Sequence, residues 1–196
     1  MTYVKLIALL ALLPGLARAG DNALLIQDAT HIGGDTLSQG FGVAGVNQAA
    51  GRDNVQANAD SVSIGGLGHT AIDQAANAKV GTLFNGADLI NGHAFSGFSG
   101  IININQASGN GNLQANVVSI GTHVTALSNA ALGQVASVTQ KGADLGPSLA
   151  GGTRRISVGA AAFSAAHGVV QVSQTVGSAN KIANSFSMNI SAGMTP

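Results

Sequence analysis

The chain contains no cysteine, no tryptophan and no glutamate in 196 residues. Without cysteine there are neither disulfide staples nor thiolate metal sites. Without glutamate, every carboxylate is an aspartate and the commonest helical metal and general-base signatures are closed. Charge of either sign is scarce, at 8% of residues, where ordinary domains carry about 25%. Aromatic residues make up only 4%, so a conventional aromatic-rich core would be thin. What fills the space is Gly, Ala, Ser, Asn and Gln. Small and amide side chains with low net charge and three prolines make a cross-β composition, except that glycine is abundant.

The sparse charge excludes further classes. Lys5 followed by the apolar run Leu6 to Leu13, the break Pro14-Gly15 and the small residues of Ala17-Arg18-Ala19 read as a secretory signal peptide of residues 1–19. The run is too short to span a bilayer, and no membrane span is expected after cleavage. Without Lys5 and Arg18 the chain keeps six basic and eight acidic residues. That balance offers no basis for nucleic-acid binding, which needs clustered Lys and Arg. The one basic pair, Arg154-Arg155, is expected in a solvated loop.

A frame of 17 residues is written three times without gaps: Gly42 to Asn58, Gly100 to Asn116 and Gly168 to Asn184. It reads Gly, two apolar, any, apolar, any, Gln, two any, Gly, two any, Asn, two any, Ala, Asn. The shared residues are Gln48, Gln106 and Gln174; Gly51, Gly109 and Gly177; Asn54, Asn112 and Asn180; Ala57, Ala115 and Ala183; and Asn58, Asn116 and Asn184. The likeness extends upstream to Leu37-Ser38, Phe95-Ser96 and Phe163-Ser164. Such self-similarity marks a repeat architecture. The second interval is longer than the first, which places an insertion near Gly146 to Arg155.

The parts follow in order: a lead-in over 20–36, repeat 1 over 37–64, a linker over 65–94 and repeat 2 over 95–120. A second linker over 121–162, repeat 3 over 163–190 and a tail over 191–196 complete the chain. In the lead-in, Ala23 to Ile26 fits a short strand and His31 to Gly34 a turn. Thr70 to Val80 and Ala126 to Val138 are Ala-rich and compatible with helix on propensity or with further strands. Pro147 and Gly151-Gly152 mark a loop. Nothing after Ile190 beyond the short tail caps the last repeat.

Within a repeat, alternation predicts two strands. Ile102, Ile104 and Gln106 fall on one face and Ile101, Asn103 and Asn105 on the other. After a Gly-centred bend, Asn112, Gln114, Asn116, Val118 and Ile120 share a face, opposed to Leu113, Ala115, Val117 and Ser119. The bend is either a hairpin or a β-arc. Asn110-Gly111 is a hairpin dipeptide, but the other copies have Arg52-Asp53 and Ser178-Ala179. Only the central Gly is shared, which favours the arc, in which each strand pairs with the next repeat. Stacked in register, the amides would form columns, each donating to one neighbour and accepting from the other. A lone buried amide would cost about 1–3 kcal/mol; a ladder satisfies itself.

No catalytic constellation competes. His31, His69, His93, His123 and His167 show no i, i+4 pair, and the eight Asp are scattered. Asp53 and Asp60 do not make a calcium loop, there is no nucleophile elbow, and Gly65-Gly-Leu-Gly68 lacks a phosphate-binding frame. No enzyme activity, cofactor or metal is expected.

The frame Q-x-x-G-x-x-N-x-x-A-N resembles the repeats of bacterial biofilm amyloids, in kind the curlin repeat and more closely the Fap-type subunits. Those have three such repeats separated by two linkers behind a signal peptide. The resemblance implies an all-β fold of three stacked β-arc rungs, a cross-β-like β-solenoid with Gly/Ala-rich linkers. It implies a secreted structural subunit that assembles with itself and with related subunits into extracellular fibrils, passing a periplasmic chaperone and a secretion pore. The amides would supply ladders and the glycines bends. The chain lacks the C-terminal Cys-x-x-Cys expected of the major subunit, and its linkers are short; both departures weaken assignment as the major subunit and leave a minor or nucleating subunit, or a distant branch, open. The alternative is a monomeric secreted β-solenoid adhesin that binds a surface.

Overall fold

The computed structural model describes residues 26–68, 70–80, 84–124, 132–140 and 153–190, and every regular element among them is a strand. In chain order these are β1 (Ile26–Ile32), β2 (Phe41–Ala50), β3 (Val55–Gly68), β4 (Ile72–Val80), β5 (Phe84–Ile90), β6 (Ser99–Ser108), β7 (Leu113–Val124), β8 (Leu132–Gln140), β9 (Arg154–Val158), β10 (His167–Val176) and β11 (Lys181–Asn189). All pairings are parallel: β1-β5-β9, β2-β6-β10, β3-β7-β11 and β4-β8. The chain therefore climbs as a β-solenoid of three rungs. β1 to β4 make the first, β5 to β8 the second and β9 to β11 the third. None of the sheets closes.

Register makes the repeats meet. Gln48 lies opposite Gln106, and Gln106 opposite Gln174. The offset is 58 residues between the first two rungs and 68 between the second and third. Ile72 is opposite Leu132, whereas Gly86 is opposite Arg154, so most of the extra length falls between Gln140 and Arg154. The register shift between Ser63 and Leu67 runs the other way and gives the first rung two extra residues there.

The reversal between the repeat's two strands is a β-arc. β2 bonds to β6 and β3 to β7, not to each other. The bends stack on themselves: Gly109 N donates to Ala50 O and Gly177 N to Ser108 O. Gly51, Gly109 and Gly177 all hold positive φ, at 110°, 123° and 139°, which only glycine tolerates at low cost. Close approach is a second demand. A Cβ on Gly51 would lie 2.0 Å from Gly109 O, and one on Gly109 1.8 Å from Gly177 O.

A second arc joins β1 to β2, β5 to β6 and β9 to β10. Here the upstream likeness finds its cause. Phe95 and Phe163 stack at 5.2 Å and 5°, while Gln39 N donates to Ser96 O and Gly97 N to Ser164 O. Each rung thus repeats the same turn on the one below.

Three sheets lie face to face, with β2-β6-β10 in the middle. Its even-numbered face packs on β1-β5-β9 and forms the main apolar core, which includes Ile32, Ile90, Phe95, Phe98, Ile102 and Ile104. Its other face meets β3-β7-β11 through amides. On the far side of that sheet, Ile72 of β4 packs on Ala115 and Val117, with Ala57 and Ala59 alongside.

One open choice is settled and two local expectations give way. Residues 72–80 and 132–140, compatible with helix or strand, fold as strands. Propensity is a weak prior; Ile72 and Gln74 are buried at period two, and Gln74 Nε2 donates to Gln114 O at 3.0 Å. His31 and Ile32 end β1 and the turn begins only at Gly34, because Ile32 is needed in the apolar core. Arg154-Arg155 open strand β9 instead of lying in a loop, though both stay exposed. The leader 1–19, Ala23 to Leu25, His69, Pro147, Gly151-Gly152 and the tail 191–196 lie outside the described residues.

The close approach at the bend predicts a graded response to alanine. Gly109→Ala should cost about 3 kcal/mol or more, because both φ and the Gly177 carbonyl oppose a Cβ. Gly34→Ala, with φ 67° and open space around it, should cost only about 1 kcal/mol. Urea denaturation of freshly diluted monomer measures both.

Candidate functional site: the amide ladders and open rung edges

The repeat places its amides in three unbroken columns. Gln106 Nε2 donates to Gln48 Oε1 at 3.0 Å, and Gln174 Nε2 to Gln106 Oε1 at 2.7 Å. Asn112 Nδ2 donates to Asn54 Oδ1 and Asn180 Nδ2 to Asn112 Oδ1, both at 2.9 Å. Asn116 Nδ2 donates to Asn58 Oδ1 at 3.2 Å, and Asn184 Nδ2 to Asn116 Oδ1 at 3.0 Å. The cause is the parallel register, which sets like side chains about 4.8 Å apart, a span that one primary amide bridges.

Each column is also tied to the backbone. Asn54 and Asn112 cap the bend: their Nδ2 groups donate to Gly109 O and Gly177 O, and their Oδ1 atoms accept from Asn112 N and Asn180 N. The bend carbonyls that glycine brings so close are thereby satisfied. Asn116 Nδ2 also donates to Ile104 O across the arc, which locks β7 against β6. Gln106 Nε2 reaches Leu89 O in the neighbouring sheet. On the middle rung these amides are completely buried, and a network satisfied throughout is what makes that affordable.

Further ladders escape the three-fold frame because one copy breaks them. Gln56 Nε2 donates to Gln114 Oε1 at 2.7 Å, but Ile182 takes that place on the third rung. Asn105 Nδ2 donates to Asn47 Oδ1, and Ser173 stands above them. Asn105 and Asn116 bond directly across the arc at 3.0 Å, and Asn184 donates to Ser173 Oγ at the same distance. The signal was present as likeness in two copies out of three.

One residue outside the three-fold frame ties all three rungs together. Asp88 is fully buried. Its carboxylate accepts from Thr30 Oγ1 on the first rung, Ser108 Oγ on its own rung and Thr175 N on the third. Burial pushes its carboxyl above the ordinary range, and those hydrogen bonds oppose the shift without cancelling it. Burial likewise raises Asp28 and, against a hydrogen bond from Asn103, Asp60.

The end rungs differ from the middle one in what they leave uncovered. β1, β2 and β3 form one edge of their sheets, and β9, β10 and β11 the other. Ile101 is 7% exposed, but Val43 in the same column is 58% exposed; Val62 and Met188, stacked about Ile120, are 62% and 39% exposed. Among the described residues no group of His and Asp could hold a metal ion.

Two outcomes follow for stability. Asn112→Leu leaves Gly177 O and the Asn180 donors without partners and Asn54 Oδ1 with only the backbone N–H of residue 112, and should cost about 3–5 kcal/mol in urea titration. For pH the sign is set by the raised acids: the folded chain binds their protons more tightly than the unfolded chain. Stability should therefore increase as pH falls from neutral toward the ordinary Asp value of 3.8, and decline as pH rises through the raised values. Asp88→Asn should flatten that slope, read as urea midpoints between pH 7 and pH 5.

No solved structure matches the chain significantly. A family profile does, over residues 16–191, and that span takes in all three repeats and both linkers. With the rungs, arcs and ladders in place, this chain belongs to the functional amyloid protein FapB/FapC family.

Proposed function

We propose that the chain is a secreted structural subunit whose function is assembly itself. Copies stack rung upon rung into extracellular functional amyloid fibrils of a bacterial biofilm matrix. Gln48, Gln106, Gln174 and the Asn columns at 54/112/180 and 58/116/184 continue as ladders from copy to copy, and Gly51, Gly109 and Gly177 supply the bends. The observation that carries this reading is the contrast between rungs. The middle rung buries both its strand edges and its apolar columns, whereas the first and third present the same register, unpaired, on outer edges. An open parallel edge is a template for another strand. A second copy placed with its first rung beyond this third rung would give every end residue the surroundings that the middle rung already has.

The short linkers leave the role of a minor or nucleating subunit open to this chain. Related subunits are then partners as well as copies of the chain itself, with a periplasmic chaperone and a secretion pore on the route out.

The test is fibre diffraction on the chain from Gly20 onward, incubated at neutral pH. The expected result is fibrils with a meridional reflection near 4.8 Å and a lag phase that Asn112→Leu lengthens in thioflavin T kinetics. A chain that remains monomeric for days would overturn the proposal and favour a surface-binding solenoid.

A further inference from the structure

Charge is divided between the two ends of the solenoid. The first rung, residues 26–68, carries Asp28, Asp35, Asp53 and Asp60 against Arg52 alone, a net charge of −3. The third rung, residues 153–190, carries Arg154, Arg155 and Lys181 with no acid, a net charge of +3. Asp88 is the single Asp, Lys or Arg of the middle rung's residues 84–124. Strand β4 adds Asp73 and Lys79, which cancel.

Two of these charges occupy equivalent seats. Asp28 lies opposite Gly86, and Gly86 opposite Arg154. On the first rung, Asp28 Oδ2 sits 2.9 Å from where a Cβ on Gly51 would be. On the third, Arg154 Nε sits 3.8 Å from where a Cβ on Gly177 would be. Asp28 Oδ2 is buried and has no hydrogen-bond partner. No described carboxylate lies within ion-pair reach of Arg154. Within one chain the side-chain-free Gly86 holds the two groups two strand spacings apart, about 9.6 Å.

We propose that copies of this chain add with one polarity only, the third rung of one against the first rung of the next, matched by Arg154 over Asp28. The inference rests on the self-assembly reading and adds direction and register to it. At such a junction the two groups come one spacing apart, about 4.8 Å, and the orphaned carboxylate oxygen meets a guanidinium. The same placement sets Val158 over Ile32 and Met188 over Val62, apolar on apolar. Head-to-head contact would set +3 against +3, and tail-to-tail −3 against −3. The three repeat columns share the polarity, while the two-rung Gln56–Gln114 pair points the other way. In all three columns the amide nitrogen points back to the rung below. Gln174, Asn180 and Asn184 thus turn their carbonyl oxygens toward the open edge, where the next copy's amide nitrogens arrive.

Seeded elongation of the chain from Gly20 tests this with two charge reversals, Asp28→Arg and Arg154→Asp. At low salt each variant alone should elongate on its own seeds about ten-fold more slowly than the unaltered chain. In 0.5 M NaCl the difference should shrink to less than about two-fold, because salt screens exposed charge. An equimolar mixture of the two should recover near-normal elongation, since each supplies the charge the other lacks. A fold defect would not be rescued by mixing. The charge-neutral pair Asp28→Asn and Arg154→Gln guards against misfolding: both should elongate with a weaker salt dependence than the unaltered chain. A mixture no faster than its components, or elongation of the unaltered chain that ignores salt, would overturn the polarity while leaving self-assembly standing. Failure of the unaltered chain to form fibrils would remove both.

Discussion

Parallel in-register stacking is the constraint from which the other features follow. Once Gln106 sits on Gln48 and Gln174 on Gln106, every residue meets its own repeat equivalent about 4.8 Å away. Like must then tolerate like. Amides do so well, since each carries a donor and an acceptor along the stacking axis. Aromatic rings do so by offset stacking, as Phe95 and Phe163 show. Glycine does so by letting carbonyls approach where any Cβ would collide. A composition rich in Gly, Asn, Gln and Ala is the set of side chains that this geometry accepts.

The same constraint divides the labour between the two interfaces of the central sheet. Against β1-β5-β9 it buries aliphatic and aromatic side chains, a contribution of roughly 1.5–3 kcal/mol for each fully buried large residue. Against β3-β7-β11 it buries amides whose hydrogen bonds each contribute only about 1 kcal/mol net. Non-directional burial supplies most of the cohesion. The amide interface supplies uniqueness, because a slip of one residue would strand a whole column of buried donors and acceptors. Asp88 adds to this by gathering bonds from all three rungs at one carboxylate.

What the sequence disclosed and withheld has a physical pattern. Features held identically on all three rungs were legible: Gln48, Gln106 and Gln174, the paired Asn columns, the bend glycines and the choice of arc over hairpin. Features held on two rungs fall outside the frame, as with Gln56 and Gln114, because Ile182 breaks it. Features used once were invisible. Asp88 has no counterpart at Thr30 or Ile156, and nothing local marks it as the acceptor for Thr175 N. The strands at 72–80 and 132–140 were undecided because alanine favours helix by propensity alone, and only the neighbouring sheet resolves the choice. Arg154-Arg155 looked like a solvated loop because the length between them and Gln140 hid their register with Gly86 and Ala87.

The scarcity of charge, first met as an absence, becomes a requirement of the stack. Two like charges one rung apart would repel by about 1 kcal/mol in water and about 3 kcal/mol near a protein surface. Moreover, the cost would recur at each rung. The registered columns avoid it: Asp28 meets Gly86, Asp60 meets Val118, Asp88 stands between Thr30 and Ile156, and Lys181 covers Leu113. The exposed turns keep to the rule, with His93 placed 3.9 Å from Asp35 on the rung below. No described column holds two charges of one sign. A charge is therefore admissible only where its neighbours along the axis are neutral or opposite. In a short solenoid that leaves the outer rungs as the natural place for net charge, where it can tell one end from the other. Three imperfect copies are in this sense more specific than three identical ones: the shared residues build the stack, and the unshared ones give its ends different identities.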